Sequence, residues 1–72
     1  MKVIKRNGEI QNFDFNKIKV AVTKAFNAVN RESVPEPFFE DLEHYFNLIN
    51  DTMSVEKIQD VVETHLMHHR LL

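Results

Sequence analysis

Lys5, Arg6 and Lys17 put three cations within thirteen residues, separated by a turn signal and a helix start. Guanidinium and ammonium groups brought close together suit an anion with several charged oxygens. Apolar side chains lie beside them and suit an uncharged group attached to that anion. A polyphosphate carried on a base meets both demands. Each cation also has a plainer reading. Arg6 can form an exposed cross-strand pair with Glu9, contributing roughly 0.2–1 kcal/mol, and Lys5 can be a solvated strand side chain. Because neighbours on a strand point to opposite faces, Lys5 and Arg6 cannot both project from one side of a flat ribbon.

The elements that hold these residues follow from local signals. Asn7-Gly8, with Gly8 the only glycine of the chain, predicts a two-residue type I′ turn between strands at Val3–Arg6 and Glu9–Phe13. That turn needs positive φ at both central positions, which Asn tolerates and Gly adopts freely. The expected register sets Arg6 opposite Glu9, Lys5 opposite Ile10 and Val3 opposite Asn12. Asp14 is placed to cap a helix from about Phe15 to Val29, whose Ile18, Ala21, Val22, Ala25, Phe26 and Val29 form one stripe. Lys17 falls in its first turn, where free backbone N–H groups and the helix dipole favour an anion, whereas Lys19 and Lys24 read as solvated.

Asn30 to Pro37 reads as a bent linker, its prolines holding their neighbours extended. A second helix is expected from about Pro37 to Ile49 with an apolar face of Phe38, Leu42, Tyr45, Phe46 and Ile49, widened by Phe39. Asn50 to Met53 ends it. Ser54 caps a third helix from Val55 to about His69, with a seam of Val55, Ile58, Val62 and Leu66 broadened by Val61 and with Glu56, Asp60 and Glu63 toward solvent. Gln59 lies one turn after Val55, so both can face the same neighbour. The expected fold class is α+β, mostly helical, with an N-terminal β-hairpin packed on a three-helix bundle.

Seventy-two residues make one small domain with a single core of marginal stability. Without cysteine there are no disulfides or thiolate metal sites, and no apolar run approaches the about 20 residues that span a bilayer. A cytoplasmic protein without a membrane role is the expectation. The net charge of −2 conceals an asymmetry. Residues 1–31 hold seven Lys or Arg against Glu9 and Asp14, or 7 − 2 = +5, and residues 32–72 hold two against nine acidic residues, or 2 − 9 = −7. A compact anion suits the basic half, while the acidic half repels a long polyanion such as DNA, so no direct nucleic-acid partner is expected. The alternative is that the halves neutralise each other in the fold.

No catalytic constellation is visible. The chain has no cysteine nucleophile, Gly-x-Ser-x-Gly elbow, Walker A loop or dinucleotide fingerprint, and Ser33 and Ser54 read as loop and cap residues. His65 and His69 have the i, i+4 spacing of a helical metal pair but no HExxH context and no evident third ligand, so no metal site is expected. Binding, not catalysis, is the expected function.

The stretch VIKRNGEIQNFDFNKI resembles the opening of the ATP-cone domain, a regulatory nucleotide-binding module at the N-terminus of many ribonucleotide reductases and in the repressor of their genes. The residues that carry the resemblance are Val3, Lys5, Arg6, Asn7 and Gly8, then Phe13, Asp14, Lys17 and Ile18. VEKIQDVVETHLM, from Val55 to Met67, is similar to the third cone helix of anaerobic, class III, ribonucleoside-triphosphate reductases. Residues 34–50 match only as a helix of suitable length.

The resemblance implies a hairpin lid over a helical bundle with ATP or dATP between them, bound with Mg²⁺. By position, Lys5, Arg6 and Lys17 would contact the triphosphate, and Val3, Gln11, Phe13, Asp14, Ile18, Val55 and Gln59 would line or recognise the nucleoside. Asp14 would select adenine by accepting from its amino group, since a buried acceptor left unpaired by guanine costs about 1–3 kcal/mol. The chain is then a single cone over residues 1–72, regulating rather than catalysing, with the rest of a reductase and further copies of itself as partners in the supply of precursors for DNA replication. Cones usually carry a fourth helix with another basic contact; this chain stops at Leu72, so the domain reads as truncated and HHRLL as a cut helix. One rival is the cone of a transcriptional repressor, disfavoured because no zinc-ribbon cysteines precede Met1. The other is a nucleotide-independent helical interaction module presenting Phe38, Phe39, Tyr45 and Phe46.

Overall fold

A computed structural model describes residues 1–30 and 33–71. Arg31 and Glu32, where the linker and the charge boundary fall, and Leu72, the expected end of the domain, lie outside the described residues. The elements are β1 (Lys2–Ile4), β2 (Ile10–Asn12), α1 (Phe15–Asn30), α2 (Glu36–Asn47), β3 (Thr52–Ser54) and α3 (Val55–His68). This is an α+β fold, mostly helical.

The hairpin falls where Asn7-Gly8 predicts it, but its register differs by one residue. Lys2 pairs with Asn12, Val3 with Gln11 and Ile4 with Ile10. The loop is three residues long, Arg6-Asn7-Gly8: the Gly8 N–H donates to Lys5 O at 2.9 Å and the Lys5 N–H donates to Glu9 O at 2.8 Å. Within this loop only Gly8 takes positive φ, at 87°. Asn7 serves instead through its side chain, Oδ1 accepting from the Glu9 N–H at 3.0 Å. A type I turn closed by one left-handed glycine therefore replaces the type I′ turn. Shifting the register by one moves every cross-strand partner to the other face. Val3 and Gln11 now share a face, and Arg6, lifted into the loop, is freed from Glu9.

The third strand is a departure from the sequence pattern. Residues 50–53 read as a helix end, yet Thr52–Ser54 pairs in parallel with β1, giving the order β2-β1-β3 with Val3 opposite Met53. β1 is thus the central strand. Met53 turns inward and is buried.

The core comprises Phe38, Phe39, Leu42 and Phe46 from α2, Met53 from β3, and Ile58 and Val61 from α3. α2 starts at Pro35, which is extended, and Pro37 in its first turn forgoes an N–H that has no helical partner. The Phe46 ring lies 4.8 Å from that of Phe13 and 6.5 Å from that of Phe15, so one buried aromatic holds both the exit of β2 and the entry of α1. Val61, expected at the margin of its seam, sits at the centre of the buried face, while Val62 and Leu66 are only half-buried. Tyr45, expected in the core, lies at its border and meets Phe46 and the His65 ring edge-on. Lys19, expected in solvent, is half-buried, 5.2 Å from the Phe39 ring centroid and 3.4 Å from Glu36 Oε1.

α1 does not complete a closed three-helix bundle. Of its stripe, Ile18 and Val22 pack against the core, Ala21 and Ala25 are exposed, and Val29 is 79% exposed. An apolar groove of about 330 Å³ runs between this stripe and Val62, Leu66 and Leu71. α3 ends in a defined stop. Arg70 adopts φ 57°, its N–H donates to Met67 O at 3.0 Å, and the Leu71 N–H donates to Leu66 O at 2.8 Å. These are the two bonds of a Schellman motif, with arginine at the left-handed position that glycine usually takes.

Candidate functional site

The corrected register builds one face of the sheet from Val3, Gln11 and Phe13, and the next residue, Asp14, starts α1. Asp14 Oδ1 accepts from the Asn16 N–H at 3.0 Å, and its backbone O accepts from the Lys17 N–H at 3.2 Å. The cap forms as the sequence suggests, with a consequence for anion binding. These N–H groups are already engaged, so the contribution of the helix start to an anion rests mainly on the Lys17 ammonium. On the other side, Ser54 Oγ accepts from the Lys57 N–H at 3.1 Å and fixes the start of α3. That orients Val55, Ile58 and Gln59 toward the hairpin.

Between these walls lies a cavity of about 190 Å³. Val3, Gln11, Asn12 and Phe13 line it from the hairpin, Asp14, Lys17 and Ile18 from the α1 start, and Val55, Ile58 and Gln59 from α3. Alone it is smaller than the about 300–1,000 Å³ of most ligand pockets. It adjoins a second cavity of about 330 Å³ that shares Ile18, Ile58 and Gln59 and continues along the α1–α3 seam to Val62 and Glu63. The pair offers an apolar floor with amide and carboxylate groups at the rim. Glu63 at the far end would repel phosphates, whereas Lys17 at the near end would attract them.

Eight of the ten residues singled out from the sequence line the first cavity: Val3, Gln11, Phe13, Asp14, Lys17, Ile18, Val55 and Gln59. Lys5 and Arg6 do not line it. Lys5 is half-buried two residues beyond Val3. Arg6 reaches α3, with Nε 3.0 Å from Glu56 Oε1 and Nη2 3.5 Å from Gln59 Oε1. Its expected pair with Glu9 is replaced because the loop carries it off the strand. Asn12 and Ile58 join the lining without having been singled out. Ile58 is legible in the sequence only as an apolar seam position, and Asn12, whose Oδ1 accepts from Lys2 Nζ, is misplaced by the expected register. Glu56 faces solvent as expected and also pairs with Arg6.

Comparison with family models matches the chain to the ATP cone domain over residues 1–71. The chain belongs to the ATP-cone family. ATP-cone domains are nucleotide-binding regulatory modules that take ATP or dATP as effector. No curated protein is similar enough to the chain to count as a match.

Another cavity of this cone, about 370 Å³, lies between α2 and α3, and all four histidines of the chain line it together with Asp41 and Tyr45. Two of those rings already have partners: His65 Nδ1 lies 2.8 Å from Val61 O, and His69 Nε2 lies 2.9 Å from Asp41 Oδ2. Among the described residues no group of three or more His, Cys, Asp or Glu is arranged to hold a metal ion, and no helix is long and apolar enough to cross a membrane. The smaller cavity is the better nucleotide candidate because Lys17, an apolar floor and hydrogen-bonding rim groups meet there, with Arg6 at its edge. An interaction face made of Phe38, Phe39 and Phe46 conflicts with their burial, since all three are at most 4% exposed.

Proposed function

We propose that this cone is an adenine-nucleotide sensor that binds ATP or dATP, as the Mg²⁺ complex, in the cavity between the hairpin and the starts of α1 and α3. The observation that carries the reading is the convergence of Val3, Gln11, Phe13, Asp14, Lys17, Ile18, Val55 and Gln59 on one cavity, with Arg6 at its edge. The base lies on Val3, Phe13, Ile18 and Val55. Asp14 uses Oδ1 for the helix cap, and its second carboxylate oxygen remains to accept from the adenine amino group. The phosphates point away from Glu63, toward Lys17, Lys5 and Arg6. Attached to an anaerobic ribonucleoside-triphosphate reductase in the cytoplasm, the cone adjusts overall activity through packing against the parent chain or against a second cone. Such a switch needs the effector to bind two states unequally, with about 1–3 kcal/mol of coupling.

Calorimetric titration with ATP, dATP and GTP in Mg²⁺, with the oligomeric state recorded before and after, tests this. Adenine-selective binding that weakens in Lys17→Ala supports it. A folded sample that gives no heat, or equal affinity for GTP, overturns it.

A further inference from the structure

Arg6 stands 68% exposed at the tip of the hairpin, yet its guanidinium is not free. Nε faces Glu56 Oε1 at 3.0 Å and Nη2 faces Gln59 Oε1 at 3.5 Å, so one side chain joins the hairpin loop to the first turn of α3. Gln59 lines the cavity and Glu56 does not. Glu56 is the second residue of α3, where the helix dipole favours a negative charge. A carboxylate therefore already occupies both electrostatic positions that a phosphate at this edge would take: beside the guanidinium and over the start of α3. The pair adds little to stability, because both partners are well exposed and screened by solvent.

We infer that Glu56 is an internal competitor for the phosphate-binding cation. This rests on the nucleotide site proposed above. Glu56 neutralises Arg6 and links the hairpin loop to α3. A polyphosphate arriving in the cavity must take Arg6 from Glu56 or share it, and it is held more loosely than Lys5, Lys17 and a free Arg6 would hold it. Displacing the glutamate also breaks the ion pair between the hairpin loop and α3, while the β1–β3 ladder still holds the strands in place. Glu56 thus keeps the phosphate contact exchangeable, as a sensor of changing nucleotide levels requires.

The test titrates the wild-type protein, Glu56→Gln, Arg6→Ala and the double variant with ATP, adenosine and tripolyphosphate at low and raised salt, with circular dichroism to check folding. Glu56→Gln is expected to tighten ATP and tripolyphosphate about two- to five-fold, the range spanned by exposed ion pairs, and to leave adenosine unchanged. The gain shrinks as salt screens the pair and disappears in the Arg6→Ala background. Unchanged or weaker binding of both phosphate ligands by Glu56→Gln overturns the inference, as does a gain that survives without Arg6. If ATP binds the wild type and Glu56→Gln changes nothing, the competitor falls while the nucleotide reading stands. Tripolyphosphate binding that tightens in Glu56→Gln without any ATP binding keeps the competitor and overturns the nucleotide reading. Absence of binding by every ligand and variant overturns both.

Discussion

The two long sides of α3 differ sharply in how they are covered. Toward α2 and the sheet, Ile58 and Val61 lie against Phe38, Leu42, Phe46 and Met53, all at most 9% exposed. Toward α1, Val62 and Leu66 are half-buried and border an open groove whose other wall includes the exposed Ala21 and Ala25. The candidate nucleotide cavity opens at one end of the looser side. The side that buries Ile58 and Val61 supplies the fixed frame, and the looser side keeps the freedom that a binding region needs, since such regions come from the less stable parts of a fold.

Four substitutions break or sharpen this contrast. Phe46→Ala removes the aromatic that joins α2, β2 and α1, and is expected to cost about 3–5 kcal/mol, as much as a domain of this size has to lose. Cooperative unfolding in a urea melt should then vanish. Leu66→Ala, a smaller truncation on a half-buried seam, should cost only about 1–2 kcal/mol by the same melt. A loss as large as that of Phe46→Ala would mean the groove side is sealed in solution. Arg70→Gly relieves a left-handed non-glycine residue, a strain of about 1–2 kcal/mol, against the added freedom of the unfolded chain. A net gain of about 0.5–1 kcal/mol in thermal stability is expected, and a loss would show that the Schellman turn does not close over Leu66. Val29→Ala should shift stability by less than about 0.5 kcal/mol, because the side chain is already 79% exposed.

The sequence pattern disclosed the helices because their apolar periodicity is long, whereas most of the cavity lining came from the family resemblance carried by the stretches around Asp14 and Ser54. The rest depended on distance along the chain. Asn7-Gly8 marks a turn, but choosing between two and three loop residues depends on whether Asn7 supplies its backbone or its side chain, and composition does not distinguish those. β3 is three residues long and pairs with a strand about fifty residues earlier, so it leaves no local period. The stripe of α1 shows what can be buried but not by what. That is why Ile18 and Val22 are packed while Ala21, Ala25 and Val29 stay open on the same helix.

The parallel pairing of β1 with β3 also bears on the order of assembly. The hairpin and the start of α1 are local and can form as soon as the first thirty or so residues are available, whereas the sheet and the cavity wall from Val55 and Gln59 require the ends of the chain to meet. Contacts that close so long a loop come late and slowly in folding. The cavity therefore exists only in the fully folded chain, and any ligand that fills it raises the melting temperature of the whole domain.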